Sequence, residues 1–171
     1  MGVAGWRGRA RLAAMGAAVA ALLAAAAAPA GAAEAGRHFP YYASISAAKA
    51  RMRTGPGRTY PASWLYVRPE LPVKVLAAFN EWRKVEDPGG TQGWMLANLL
   101  SDKRTAYVPG SPVELREQPA AGARVAWRAA PGVVGRLAAC ANGWCRLDVR
   151  GQAGFVEEGR LWGVDGGEAL P

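Results

Sequence analysis

Two cysteines, one histidine and a few adjacent acids are the residues here whose types could do chemistry, and their spacing argues against a reaction. A cysteine nucleophile needs a base, usually histidine, held in place by a third group. The sole histidine, His38, stands in the N-terminal tail, about a hundred residues before Cys140 and Cys145. A Cys-x-x-Cys redox pair is missing, and one histidine cannot complete a zinc site. Glu86-Asp87 and Glu157-Glu158 are neighbours in sequence, and neighbours on a strand point to opposite faces. Neither forms the convergent carboxylate pair that glycan cleavage requires. Gly55-Pro56-Gly57 and Pro88-Gly89-Gly90 are not followed by Lys-Ser/Thr, so they are not phosphate loops. With no metal set and no cofactor motif, the reading is a non-catalytic protein.

The cysteines make better sense as a staple. Asn142-Gly143 is a strong signal for a two-residue type I′ turn. If Ala141 faces Trp144 beside that turn, Cys140 faces Cys145 as a non-hydrogen-bonded pair, with Cα atoms about 4.5 Å apart. That separation suits a disulfide. In an exported chain two cysteines most simply form one.

Export is read from the N-terminus. Arg7, Arg9 and Arg11 precede an uncharged Ala/Leu-rich stretch over residues 12–28, and Ala28-Pro29-Ala30 gives a small-x-small cleavage pattern, with Ala33 a second cut. Residues 1–33 are therefore expected to be a Sec-type signal peptide and the mature chain to be periplasmic. The stretch is short and alanine-rich for a membrane span, which takes about 20 apolar residues; no later segment qualifies, so no transmembrane segment is expected in the mature chain. The formal net charge is +8 and is uneven. Residues 46–105 carry ten Lys/Arg against five Asp/Glu, whereas residues 106–171 carry seven of each. Outside the cytoplasm a basic surface meets wall polymers, lipid head groups or acidic proteins rather than nucleic acid.

The elements that position these residues follow from an internal repeat. Residues 50–56 match 113–119, Asn80-Glu81-Trp82 matches Asn142-Gly143-Trp144, and Gln92-Gly93-Trp94 matches Ala153-Gly154-Phe155, at offsets of 63, 62 and 61. Leu99-Leu100 is aligned with Leu161-Trp162. Val73, Val75 and Ala77 alternate with Lys74, Leu76 and Ala78, a strand pattern that stops at Asn80-Glu81. Strands are also read at residues 82–86 and 92–96, around the turn Asp87-Pro88-Gly89-Gly90. No segment after the signal shows a helical period, so both units are read as all-β. A unit of about 60 residues buries only about 60% of its unfolded surface. Trp82, Trp94, Trp127, Trp144, Phe155 and Trp162 are assigned to fill it.

At these positions the chain resembles the bacterial SH3 family, and within it the alphaproteobacterial SH3-like group found as exported tandem repeats. The first unit carries Arg51-Met52-Arg53-Thr54-Gly55-Pro56-Gly57, Tyr60-Pro61, Leu71-Pro72-Val73, Trp82-Arg83-Lys84-Val85 and Gly93-Trp94. The second keeps the Trp strand and the Gly-aromatic step but has Glu117-Gln118-Pro119-Ala120 at the loop and no Tyr-Pro pair. The resemblance implies two tandem small SH3-like β-barrels, at 41–105 and 106–165. It also implies a shallow aromatic groove, which here points to Arg53, Thr54, Tyr60, Trp64, Tyr66 and Trp82 or Trp94. Trp82 and Trp94 suit a core role as well, and Trp64 and Tyr66 are the better groove candidates. Two functions fit: binding of peptidoglycan or another envelope ligand, or a periplasmic protein-interaction scaffold. Protein purified from the periplasm is expected to show no free thiol; two reactive cysteines in a thiol assay would overturn the staple.

Overall fold

Alternating short strands and tight turns build two sheets of matching topology. The computed structural model describes residues 1–2 and 37–170; the signal-peptide reading otherwise lies outside the described residues. The first sheet contains β1 (Tyr41–Ile45), β2 (Ala50–Arg53), β3 (Ala62–Tyr66), β4 (Pro72–Phe79), β5 (Trp82–Glu86), β6 (Gln92–Leu96) and β7 (Leu100–Ser101), ordered β3-β2-β6-β5-β4-β1-β7. The second contains β8 (Thr105–Tyr107), β9 (Val113–Arg116), β10 (Val125–Ala129), β11 (Val134–Ala141), β12 (Trp144–Val149) and β13 (Gln152–Glu157), ordered β10-β9-β13-β12-β11-β8. Trp162 bridges Tyr107 where β7 pairs with β1, so the two sheets correspond strand for strand. Single 3-10 turns, Ala97–Leu99 and Glu158–Arg160, precede the closing residues. Among the described residues no helix is long and apolar enough to cross a membrane.

The register corrects one sequence match. Ser101 pairs with Ser44 as Trp162 pairs with Tyr107, so Leu100 corresponds to Leu161 and Ser101 to Trp162. The offset stays at 61 through the end of the repeat.

A bulge decides which side chains enter the barrels. Val75 pairs with Val85 and Ala77 with Lys84, leaving Leu76 as an extra residue; Ala138 plays the same part between Leu137 and Ala139. The extra residue inverts the alternation, so Ala77 does not share the inner face of Val73 and Val75 as the period-two pattern implies. Arg83 faces inward opposite Met95, while Trp82 and Lys84 share the outer face with Leu96 and Trp94. Of the aromatic residues assigned to the core, Trp82 is buried, although on the outer face, whereas Trp94, Trp144, Phe155 and Trp162 are only partly buried. Ile45, Met52, Val73, Val75, Val85 and Met95 fill the first interior, and Val108, Leu115, Leu147, Val156 and Leu161 the second. Trp127 is 45% exposed. An indole is too large to be enclosed often even in larger cores.

Two glycines allow these barrels to close. A Cβ on Gly93 would fall 2.8 Å from the Arg53 carbonyl oxygen and inside the Met52 side chain. On Gly154 it would fall 2.7 Å from Leu115 Cβ. The Gly-aromatic step of the repeat marks where β6 runs against β2, and β13 against β9, with no room for a side chain.

The disulfide forms as read: Cys140 pairs with Cys145 and Ala141 with Trp144, and the Cα atoms of the bridge are 4.1 Å apart. Asn142 and Gly143 have φ of 53° and 80°, as a type I′ turn requires. A non-hydrogen-bonded pair leaves the backbone groups of Cys140 pointing away from β12. Leu170 takes both of them, accepting from Cys140 N–H at 3.1 Å and donating to Cys140 C=O at 3.0 Å. The first barrel has Ala78 opposite Arg83 at this place. There the Arg83 guanidinium donates to the Asn80 and Trp82 carbonyls at 2.8 and 2.9 Å, bracing the turn by hydrogen bonds instead.

Both barrels belong to one compact unit, His38–Pro171. Tyr107 and Val134 of the second pack against the first core. Tyr42 meets Trp162 edge-on at 5.3 Å between centroids, and Lys74 lies 3.5 Å from Asp165. Arg104, between β7 and β8, donates to the Gly163 carbonyl at 2.8 Å and forks onto Glu168, holding that carboxyl below its ordinary value. Reducing the Cys140–Cys145 bridge is expected to lower stability by about 2 kcal/mol, given the small loop it closes. Denaturant midpoints measured with and without reductant check this.

Candidate functional site

The loop between β2 and β3 is built almost wholly by backbone bonds. Thr54 N–H donates to Pro61 C=O, Gly57 to Gly55 and Tyr60 to Gly57. The second barrel repeats each bond 63 residues later: Glu117 to Arg124, Ala120 to Gln118 and Ala123 to Ala120. Arg53 donates to the Tyr60 carbonyl at 2.6 Å, as Arg116 does to Ala123 at 2.7 Å. The loop that departs in sequence is thus preserved in its hydrogen bonding. Only its side chains change. In the first barrel the Tyr60 ring fills the space beside Gly55, where a Cβ would overlap it.

Beside this loop the outer face of the first barrel carries a cup of about 220 Å3. Trp82, 5% exposed, stands with Leu96 and Leu99 as its apolar part; Lys49, Arg51, Arg53 and Arg58 are its charged part. No acid lines it. Among the described residues, Lys49, Arg51 and Arg58 form no ion pair. Four cations around one indole raise the local potential and favour an anion that also has an apolar portion.

The second barrel has the corresponding cup, about 280 Å3, with different chemistry. Trp144 stands for Trp82, Pro112 for Lys49, Glu114 for Arg51, Glu157 for Leu96 and Arg160 for Leu99. Glu114 accepts from Arg116 at 2.7 Å and from Arg128 at 3.2 Å, and Arg160 donates to Ser111 and Pro112. Two acids balance two arginines, and Glu114 pairs with Arg116 within the cup. This cup has no charge excess for a ligand.

Of the residues singled out in the sequence, the structure brings Arg53 and Trp82 into the cup. Thr54 is exposed at the loop's start, and Tyr60 shapes the loop while remaining 46% exposed. Trp64, 57% exposed on the edge strand β3, pairs with Met52 and does not line the cup. Trp94 lies on the outer face opposite Lys84 and Arg53. Tyr66 is half-buried and its hydroxyl donates to Asp87 Oδ2 at 2.8 Å. The same Asp87 accepts from Gly89 and Thr91 N–H at 2.9 and 2.8 Å, so it caps a turn and is more than surface charge. Lys49, Arg51, Arg58 and the two leucines were missed. The charge excess of residues 46–105 signalled a basic surface but not which residues converge.

Burial, then the Asp87 hydrogen bond and charge, push the Tyr66 hydroxyl well above its ordinary value of 10.0. The unfolded chain ionises this group near pH 10 and the folded chain does not, so the stabilisation is full below pH 10 and is lost as pH rises beyond it. Tyr66→Phe is expected to cost about 1–2 kcal/mol at neutral pH and to make the decline above pH 10 shallower, as followed by alkaline denaturation of both proteins.

Comparison with known proteins agrees with the repeat. The bacterial SH3 domain model matches residues 46–102 and again 110–163. No curated protein matches the chain. Among solved structures, NlpC1 from Trichomonas vaginalis aligns at 12% identity and a TM-score of 0.34, over 74% of this chain and 46% of that one. NlpC2 from the same organism aligns at 13% and 0.34, over 76% and 52%. An NlpC/P60 family protein from Bacillus cereus aligns at 14% and 0.32, over 71% and 55%. The chain spans about half the length of each. With the family's pattern matched once in each barrel, the chain belongs to the bacterial SH3 domain family.

Proposed function

We propose that the chain is an exported, non-catalytic binding module that takes an anionic cell-wall ligand, peptidoglycan foremost, in the cup of its first barrel. Bacterial SH3 domains are typically non-catalytic binding modules, often for cell-wall components. The observation that carries the reading is the cup itself: four cations without an acid around the buried Trp82. Arginine forks suit carboxylates, and the indole suits the apolar face of a sugar or peptide. The N-terminal Arg-then-apolar pattern and the disulfide support a periplasmic location.

A second reading, a periplasmic protein-interaction module, draws on a different feature. Edge strand β3 and the residue following it expose Trp64, Leu65 and Val67 by 57, 50 and 65%. An apolar sheet edge is a template for another chain.

Purified murein sacculi decide between them. The protein is expected to be retained at low salt and released as salt rises. Lys49→Glu, Arg51→Glu and Arg58→Glu together are expected to reduce retention at least about tenfold, since like-charge juxtaposition costs several kcal/mol. No retention at low salt overturns the wall reading; crosslinking in cells that recovers one reproducible protein partner, lost on Trp64→Ser, favours the second.

A further inference from the structure

The two barrels enclose between them a cleft of about 430 Å3, separate from either cup. The first barrel contributes Arg68 and Glu70 from the turn between β3 and β4. The second contributes Arg136, Asp148 and the turn Arg150-Gly151.

The backbone is unusual at this cleft. Among the described residues, four non-glycines have positive φ: Glu70 at 65°, Asn80 at 50°, Asn142 at 53° and Arg150 at 55°. Asparagine tolerates that region, and both asparagines sit in hairpin turns away from the cleft. Glutamate and arginine tolerate it poorly, and both line the cleft. Glu70 follows Pro69 at a turn position where glycine is usual, fixed by its N–H donating to Ile45 C=O at 2.7 Å. Arg150 and Gly151 form the two-residue turn joining β12 to β13, with both φ positive. Asparagine, aspartate or glycine is the favoured residue where Arg150 stands. Disfavoured backbone of this kind concentrates at ligand sites.

The charges of the cleft are also incompletely matched. Glu70 accepts from Arg136, through Nε at 2.8 Å and through Nη2. Asp148 Oδ1 accepts Gly151 N–H at 2.7 Å. Arg68 and Arg150 form no ion pair among the described residues. Each comes from a different barrel; three arginines against the carboxylates of Glu70 and Asp148 leave the cleft one positive charge in excess, which favours a further anion.

We propose that this cleft is a second binding site, for a compact oxyanion (a carboxylate or phosphate group) held between Arg68 of one barrel and Arg150 of the other. Guanidinium forks fit both oxyanions bidentately. Such a ligand touches both barrels at once and so stabilises their packing. The site does not depend on the cup reading, because it shares no residue with the cup.

NMR titration of the mature chain with inorganic phosphate, and separately with citrate, tests it. Saturable shifts are expected at the Arg150 and Gly151 amides and the Arg68 Nε–H; either probe supports the site, and the tighter one assigns the preferred group. Arg68→Gln with Arg150→Asn should weaken binding at least about tenfold, as loss of charge-assisted hydrogen bonds implies. Arg150→Asn alone should raise the melting temperature by a few degrees while weakening binding, because asparagine suits the turn. Arg51→Gln with Arg58→Gln, in the cup, should leave the cleft shifts unchanged. No saturable shift at the cleft up to about 0.1 M probe, where screening sets in, overturns the proposal. So do shifts that persist unaltered in the Arg68→Gln, Arg150→Asn protein.

Discussion

The interior of a sixty-residue barrel has room for methionine and branched aliphatic side chains and little beyond them. Most of this molecule follows from that constraint. Gly93 and Gly154 give up even a Cβ so that strands can meet across the closure. The bulges at Leu76 and Ala138 turn Trp82 and Trp144 outward. Trp82 is instead buried on the outer face, beside Leu96 and the cations that border it. In a small barrel, composition alone does not say which aromatic residues are enclosed.

The duplication shows how far side chains and backbone can separate. The β2–β3 loop and its second-barrel copy make the same backbone hydrogen bonds in the same order, although Gly-Pro-Gly has given way to Gln-Pro-Ala. Because the bonds run between main-chain groups, the side chains at Lys49, Arg51 and Arg58 can change without dismantling the loop. In the second barrel they have become Pro112, Glu114 and Ala121. One copy keeps a cationic cup; the other lines the corresponding cup with balanced charges and an ion pair of its own. A similar substitution appears at the hairpin ends, where a disulfide in one barrel takes the place of the Arg83 brace in the other.

What could be read from the residues was what depends on near neighbours. Asn142-Gly143 dictates its own turn, and the turn sets Cys140 opposite Cys145. Asp87-Pro88-Gly89-Gly90 likewise announces a reversal. The face that Trp82 occupies was not legible, because a single bulge several residues away inverts the alternation. Nor was the company of Arg51 and Arg58, since they reach Trp82 only when β2 pairs with β6 across the barrel. Glu70 and Arg150 were harder still. The two residues, 80 apart in the chain, border one cleft only through the packing of the two barrels, and nothing in either local sequence points to the other.

The bond pair between Cys140 and Leu170 has a further meaning for how the molecule holds together. The residue that staples the β11–β12 hairpin also anchors the strand-like segment at Leu170. Between those two points lies Glu168, gripped by Arg104 in the connection from the first barrel. The tail therefore acts as a clasp: it fastens the covalently closed end of one barrel to the connection between both. Because Leu170 also packs on the second core, loosening the clasp would reach the domain connection and that core together.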